Sequence, residues 1–268
     1  MERNGILILD PLNAVWFAVL AIFIAVLVLA SILLRKKPIE FREKVLVIAC
    51  LITFVGFFVY KYFLSIDPEF DEISKGMGMG GFNWWGELPL QLCNINMILI
   101  PIAVLKKSRL LACFGFFLGP LGALMALIMP GTGFSGYSLL LPRMLGYYGT
   151  HFMIVMEGLA LLTFGLFRPK LSDLPRAILT VFVIAFFVFC INLLLRRTGL
   201  DADANYFFSV DTEGNALLEI FHGWIPFPFL YLIPCIAILG IYMLAITLPL
   251  TWIEKKKQKQ KKAHSSSN

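Results

Sequence analysis

Two residues of this chain have the chemistry of a nucleophile and its base. Cys93 and His151 lie in different apolar stretches. A thiolate attacks carbonyl carbon readily, and an imidazole beside it can take the thiol proton and later return it to a leaving group. Gln91, Asn94 and Asn96 flank the cysteine, and their amides can donate hydrogen bonds to a tetrahedral oxyanion. Asn192 falls in a later apolar stretch, and His222 just ahead of another. Such side chains are costly in hydrocarbon and are tolerated where they face protein or a water-filled cavity. Glu157 is equally out of place, but the six residues from His151 turn it about 240° around a helix, away from the imidazole. Cys93 and Asn96, three apart, are expected to share a helix face.

The elements that must position these residues are read from composition. Apolar types make up 59% of 268 residues and charged ones 15%, with a mean hydropathy of +0.82. A soluble domain of this length cannot cover that much apolar surface, so the bilayer must. A crossing needs roughly 20 apolar residues. The stretches Leu12–Leu34, Val45–Leu64, Leu88–Leu105, Leu110–Met129, Tyr147–Phe167, Ala177–Leu195 and Pro226–Trp252 meet or approach that length. The expected fold is all-α, a polytopic membrane helix bundle of about seven transmembrane helices.

Loop charge supports the count. Arg35, Lys36, Lys37, Arg42 and Lys44 follow the first stretch, Lys106, Lys107 and Arg109 the third, and Arg168, Lys170 and Arg176 the fifth, while Lys255 to Lys262 close the chain. The alternate loops hold acids or almost no charge, with Arg196 and Arg197 as a discordant pair beside Asp201 and Asp203. Positive charge favours the cytoplasmic side, which sets the N-terminus outside and the C-terminus inside. Cys93 and His151 then sit roughly 6–8 Å below the outer boundary, in one layer with Cys190, Asn192 and His222. Residues 1–254 read as a single seven-helix domain in the cell membrane, and 255–268 as a basic, disordered cytoplasmic tail. The first stretch is too long for a signal-peptide core and reads as retained.

The net charge of +6 is spent in those loops and the tail, so no nucleic-acid partner is expected. The five cysteines lie in apolar runs with no CxxC pair, which excludes a disulfide framework and a metal site; no cofactor is expected. Cys50 and Cys113 read as packing thiols. The loop Gly76–Gly86 combines glycines with Trp84 and Trp85, an interfacial anchor or a lid. Oligomeric state has no signature here.

The stretch Glu87-Leu-Pro-Leu-Gln-Leu-Cys93, then Gly119-Pro-Leu-Gly122 and Pro130, resembles the YwaF-type integral membrane family, whose motif is similar to L-P-x-H-x-C. The resemblance continues in order through Gly149-Thr-His151, Asn205-Tyr206 and Trp224-Ile-Pro-Phe-Pro228. That family is similar to the transmembrane protein 164 family, phospholipid-linked acyltransferases that use a cysteine and a histidine. The resemblance implies Cys93 as nucleophile, His151 as its base, membrane lipids as substrates, and Asn205 and Tyr206 among the supporting residues. Gln91 stands where the family usually has histidine. The alternative is a transporter or channel for a small solute, motivated by Pro101, Gly119, Pro120 and Pro234 inside apolar stretches. A receptor or scaffold has only the helix count in its favour.

Overall fold

The computed structural model describes residues 7–76, 81–131 and 133–265. Met77–Gly80 of the glycine-rich loop and the last three residues of the tail lie outside them. Nine α-helices are described: α1 (Ala14–Leu34), α2 (Ile39–Ser65), α3 (Pro68–Gly76), α4 (Asn96–Leu105), α5 (Arg109–Ile128), α6 (Pro142–Thr163), α7 (Leu174–Thr198), α8 (Ala216–Trp224) and α9 (Ile233–Ser265). A two-residue antiparallel bridge joins β1 (Ile8–Leu9) to β2 (Tyr137–Ser138), with Ile8 opposite Ser138. The fold is all-helical, as the apolar stretches predict.

Five helices, α1, α2, α5, α7 and α9, are long and apolar enough to cross a membrane. Their starts follow from local chemistry. The Asn13 side chain accepts from the Trp16 N–H at the head of α1, and the Ser108 hydroxyl from the Leu111 N–H at the head of α5, each satisfying an otherwise orphaned donor. α7 ends where Gly199 takes a left-handed φ of 71°, a conformation glycine adopts without strain.

The other two expected spans differ. α6 is 22 residues long, but Arg143, His151 and Glu157 lower its hydropathy. It is also the helix most enclosed by its neighbours, packing against α1, α2, α4 and α5. The third span is helical only over the ten residues of α4. Leu88–Ile95 is a chain of turns, closed by the Leu90 N–H on Leu88 O, the Ile95 N–H on Gln91 O and the Asn96 N–H on Cys93 O. Pro89 has no N–H to give and restricts the residue before it, which keeps this segment from winding up. Cys93 therefore lies before a helix rather than on a helix face shared with Asn96.

Two further elements were not legible as spans. α3 and α8 are short, with apolar and polar residues segregated around the axis, and they lie in the connections after α2 and α7. His222 falls in the last turn of α8. At the other end of the chain α9 continues through Ser265, where a disordered tail is expected from composition. Lys and Gln are good helix formers, and a helix already nucleated upstream propagates through them at little cost.

The two largest of four apolar clusters fill most of the interior. One, toward the basic loops, gathers Cys50, Ile100, Cys113, Phe114, Phe117, Leu161 and Phe164. The other, toward the opposite end, gathers Trp16, Phe57, Tyr60, Cys93, Met97, Tyr148 and Phe152. Close helix approach depends on small residues. A Cβ on Gly158 of α6 would stand 2.5 Å from the Pro120 ring of α5, and one on Gly115 of α5 would stand 2.6 Å from Ile100 of α4. At the basic end the loops are tied together. Arg42 donates to the Phe164 carbonyl at the C-terminus of α6, Lys107 pairs with Glu43, and Arg109 with Asp173 at 2.6 Å.

Candidate active site

Cys93 and His151 meet. The Cys93 Sγ lies 3.5 Å from His151 Nε2, and each residue is 7% exposed. His151 stands in the third turn of α6, which brings it beside the turn segment leading into α4. Its other nitrogen, Nδ1, is 2.7 Å from the Tyr147 carbonyl one turn earlier. A carbonyl oxygen can only accept, so Nδ1 carries the proton and Nε2 faces the sulfur with its lone pair free. The Tyr147 ring lies against the imidazole at 4.4 Å between centroids and stacks on Phe134, while its hydroxyl donates to Ala126 O. The imidazole is thus held in plane and in tautomer by the α6 backbone and a wall of aromatic rings.

Cys93 is placed by close packing and by tethers. A Cβ on Gly122 of α5 would stand 3.2 Å from the Cys93 nitrogen, so a glycine there lets the turn lie flat on α5. Asn96, fully buried, donates to Leu92 O at 2.8 Å and packs on Gly119. Its Oδ1 has no partner among the described residues. The glycines of the Gly119-Pro-Leu-Gly122 motif are contact surfaces for the cysteine-bearing segment. Asn94 Oδ1 lies 3.5 Å from the Cys93 sulfur. The Asn94 N–H donates to no backbone carbonyl among the described residues.

The remaining expected residues form a support rather than the centre. Gln91 accepts from the Phe207 N–H at 3.1 Å. Asn192 of α7 holds the same loop from below: its amide donates to Tyr206 O at 2.8 Å and to the Ser209 hydroxyl at 2.9 Å, and its oxygen accepts from the Tyr206 N–H. The Tyr206 hydroxyl accepts from the Leu88 N–H and donates to Trp85 O. Burial raises that phenol well above its usual range. Asn205 donates to Asp211 O and to Glu213, whose carboxyl burial pushes up from its ordinary value. This web carries order from α7 to the segment Trp85–Gln91, and so to Cys93. His222 lies against the Tyr231 ring, which belongs to a different apolar cluster from Cys93.

Glu157 keeps the separation from His151 that its spacing predicts. It accepts from the Thr53 hydroxyl at 2.5 Å and is 2% exposed. Cys50 and Cys113 are buried in the opposite cluster. A cavity of about 320 Å³ between α2 and α4 is lined by Glu43, Val47, Val104 and Lys107 among others. It opens among the basic loops and reaches neither Cys93 nor His151. No group of three or more His, Cys, Asp or Glu side chains among the described residues suits a metal ion.

One residue of this layer is absent from the expectations. Lys61, four residues before the end of α2, pairs with Glu87 at the mouth of the cysteine segment, its ammonium 4.6 Å from the centre of the Tyr60 ring. A lysine inside an apolar stretch, with an unmatched acid beside the next one, is the signal that marks it.

A family model described as the TMEM164 family matches residues 9–261, nearly the whole chain. The chain belongs to the TMEM164 family. Membership accords with the resemblance carried by the cysteine segment and the Gly149-Thr-His151 motif. It extends that resemblance to α1 and α2, which the quoted motifs do not reach. No curated protein and no solved structure matches this TMEM164-family chain.

Proposed function

We propose that this TMEM164-family protein is an integral membrane lipid acyltransferase or transacylase that works through an acyl-thioester on Cys93. The supporting observation is the 3.5 Å approach of the Cys93 sulfur to the unprotonated nitrogen of His151. His151 Nε2 takes the thiol proton as sulfur attacks the ester carbonyl of a membrane lipid. The carbonyl oxygen gains the negative charge, and the Asn94 N–H, next to Cys93 and just before α4, is a candidate donor to it. Collapse breaks the acyl C–O bond, the imidazolium returns its proton to the departing alkoxide, and a lysolipid leaves with its new hydroxyl. A second hydroxyl, from an acceptor lipid or water, gives its proton to His151 and attacks the thioester, and sulfur departs and recovers the proton.

The bundle around this site is proposed to present seven segments to the bilayer: the five long apolar helices, α6, and the Leu88–Leu105 segment that ends in α4. With the loops of the Arg42–Phe164, Lys107–Glu43 and Arg109–Asp173 contacts in the cytoplasm, the N-terminus lies outside and Cys93 near the outer leaflet of the cell membrane. Acyl-CoA is absent there, which favours a phospholipid donor. The solute-path alternative draws on Glu157 and the helix-interior prolines. Thr53 holds Glu157 in a closed contact and Pro120 is wedged against Gly158, which supports packing over a conduit.

The test is acyl transfer by the purified protein in phospholipid vesicles, from a labelled phospholipid to a lysophospholipid. Wild type should accumulate a hydroxylamine-sensitive label on Cys93, and Cys93→Ala should carry none. Transfer that persists in a correctly inserted Cys93→Ala protein overturns the reading.

A further inference from the structure

Cys93 is not fixed by a helix of its own, so something else must hold it within reach of His151. The segment from Glu87 to Ile95 is made of turns. Among the described residues, a side-chain tether reaches it locally, from Asn96 of α4 to Leu92 O, and others come from two more distant elements. From the 205–209 loop come the Tyr206 hydroxyl on Leu88 and the Phe207 N–H on Gln91. From α2 comes the Lys61 ammonium on the Glu87 carboxylate. Lys61 is 7% exposed and lies over the Tyr60 and Phe57 rings at 4.6 and 5.4 Å. Tyr60 and Cys93 belong to one packed cluster, so the ion pair stands in the layer of the thiol.

An ion pair in such surroundings is a poor source of stability. Its desolvation cost offsets most of its Coulombic gain, and apolar residues of the same size often serve as well. What a charged pair adds is geometry, together with a field that is neutral only while both partners are present. We propose that the Lys61–Glu87 pair is a positioning device for Cys93, pinning the entrance of the turn segment to α2 and cancelling charge beside the sulfur. Acyl transfer would depend on it through the reading of Cys93 as nucleophile, but the positioning itself is readable without any substrate. The other ionisable groups facing this layer are Tyr60 from α2, Tyr147, Tyr148 and His151 from α6, and Tyr206 from the loop. Asp201 stands near Gly86, just upstream of the segment. None of them duplicates the Lys61 charge.

The test follows the pH dependence of Cys93 alkylation by iodoacetamide, read by mass spectrometry at that residue in the full-length protein in nanodiscs. Lys61→Met leaves the Glu87 carboxylate unopposed and should move the alkylation profile to higher pH, by about half a unit or more. Glu87→Gln leaves the ammonium unopposed and should move it to lower pH. The double variant Lys61→Met/Glu87→Leu should return it toward wild type. A clamp without an electrostatic role would move both single variants in the same direction or not at all, and either outcome overturns the proposal. Glu87→Gln keeps a polar partner for Lys61 and supplies a decisive arm should Lys61→Met fail to insert. Acyl transfer measured on the same samples separates the two readings. Opposed shifts with no transfer in wild type retain the positioning device and remove the acyltransferase; wild-type transfer with unmoved profiles does the reverse.

Discussion

α1 and α6 are nearly equal in length, at 21 and 22 residues, and opposite in kind. Only Trp16 and Leu34 of α1 are buried, and residues such as Ile22, Leu29 and Ile32 face outward. α6 buries Arg143, Thr150, His151 and Glu157 among its apolar neighbours. The more a helix is surrounded by protein, the less hydropathy it needs, because neighbouring side chains rather than lipid tails satisfy it. Hydropathy is therefore the weakest guide where chemistry is concentrated. α1 is long and apolar enough to cross a membrane with ease, while α6, which carries His151, is not among the helices that are.

The sharpest test of that contrast is at the dyad. His151→Ala should lower acyl transfer by about 10²–10⁴-fold, the usual worth of a positioned acid–base group, measured as initial rates in vesicles, while Ile22→Ala on α1 should leave the rate unchanged. A comparable loss from both would erase the distinction between the two helices. Next comes Arg143, fully buried, with bonds of 2.7 and 2.8 Å to Asp67 and Glu69. Arg143→Ala removes a buried charge from two partly exposed carboxylates and should cost about 2–3 kcal/mol, seen as a lower midpoint of denaturant unfolding in micelles.

Packing supplies the third test. Gly158→Val sets a side chain against the Pro120 ring and should cost about 1–3 kcal/mol by overpacking; an unchanged melting temperature would show that α5 and α6 are not held as closely as their glycines allow. Smaller again, Tyr206→Phe removes two hydrogen bonds from the web that supports the cysteine segment, for about 1 kcal/mol. It should slow transfer without shifting the melt as far as Arg143→Ala does. At the bottom of the series, Ile22→Ala should change stability by no more than about 0.5 kcal/mol.

These differences explain what could be read in advance. α1, α2, α5, α7 and α9 were legible because a lipid-facing helix must be apolar along its length. The meeting of Cys93 with His151 was legible as a pair of unusual residues at similar distances from their stretch ends. The way they meet was not. Pro89 interrupts the third stretch, so the depth of Cys93 follows from turns rather than from helical rise. Asn192 stands out in the sequence for its polarity, but its bonds to the 205–209 loop depend on a connection whose course no periodicity records. Lys61 is hard to single out because a lysine near the end of an apolar stretch looks like the boundary of that stretch. α3 and α8 are too short to register on a scale tuned to crossings, so the helix that carries His222 is not legible in the sequence.

One contact has a bearing on how this site can vary over time. The group that orients His151 is the Tyr147 carbonyl, a piece of main chain with no codon of its own. A side-chain carboxylate in that role would be a third address at which mutation could disable the site. Here every amino acid at position 147 that sustains the helix presents the same oxygen. A saturation scan should accordingly find two positions that tolerate nothing, 93 and 151, and no third acid that rises and falls with them.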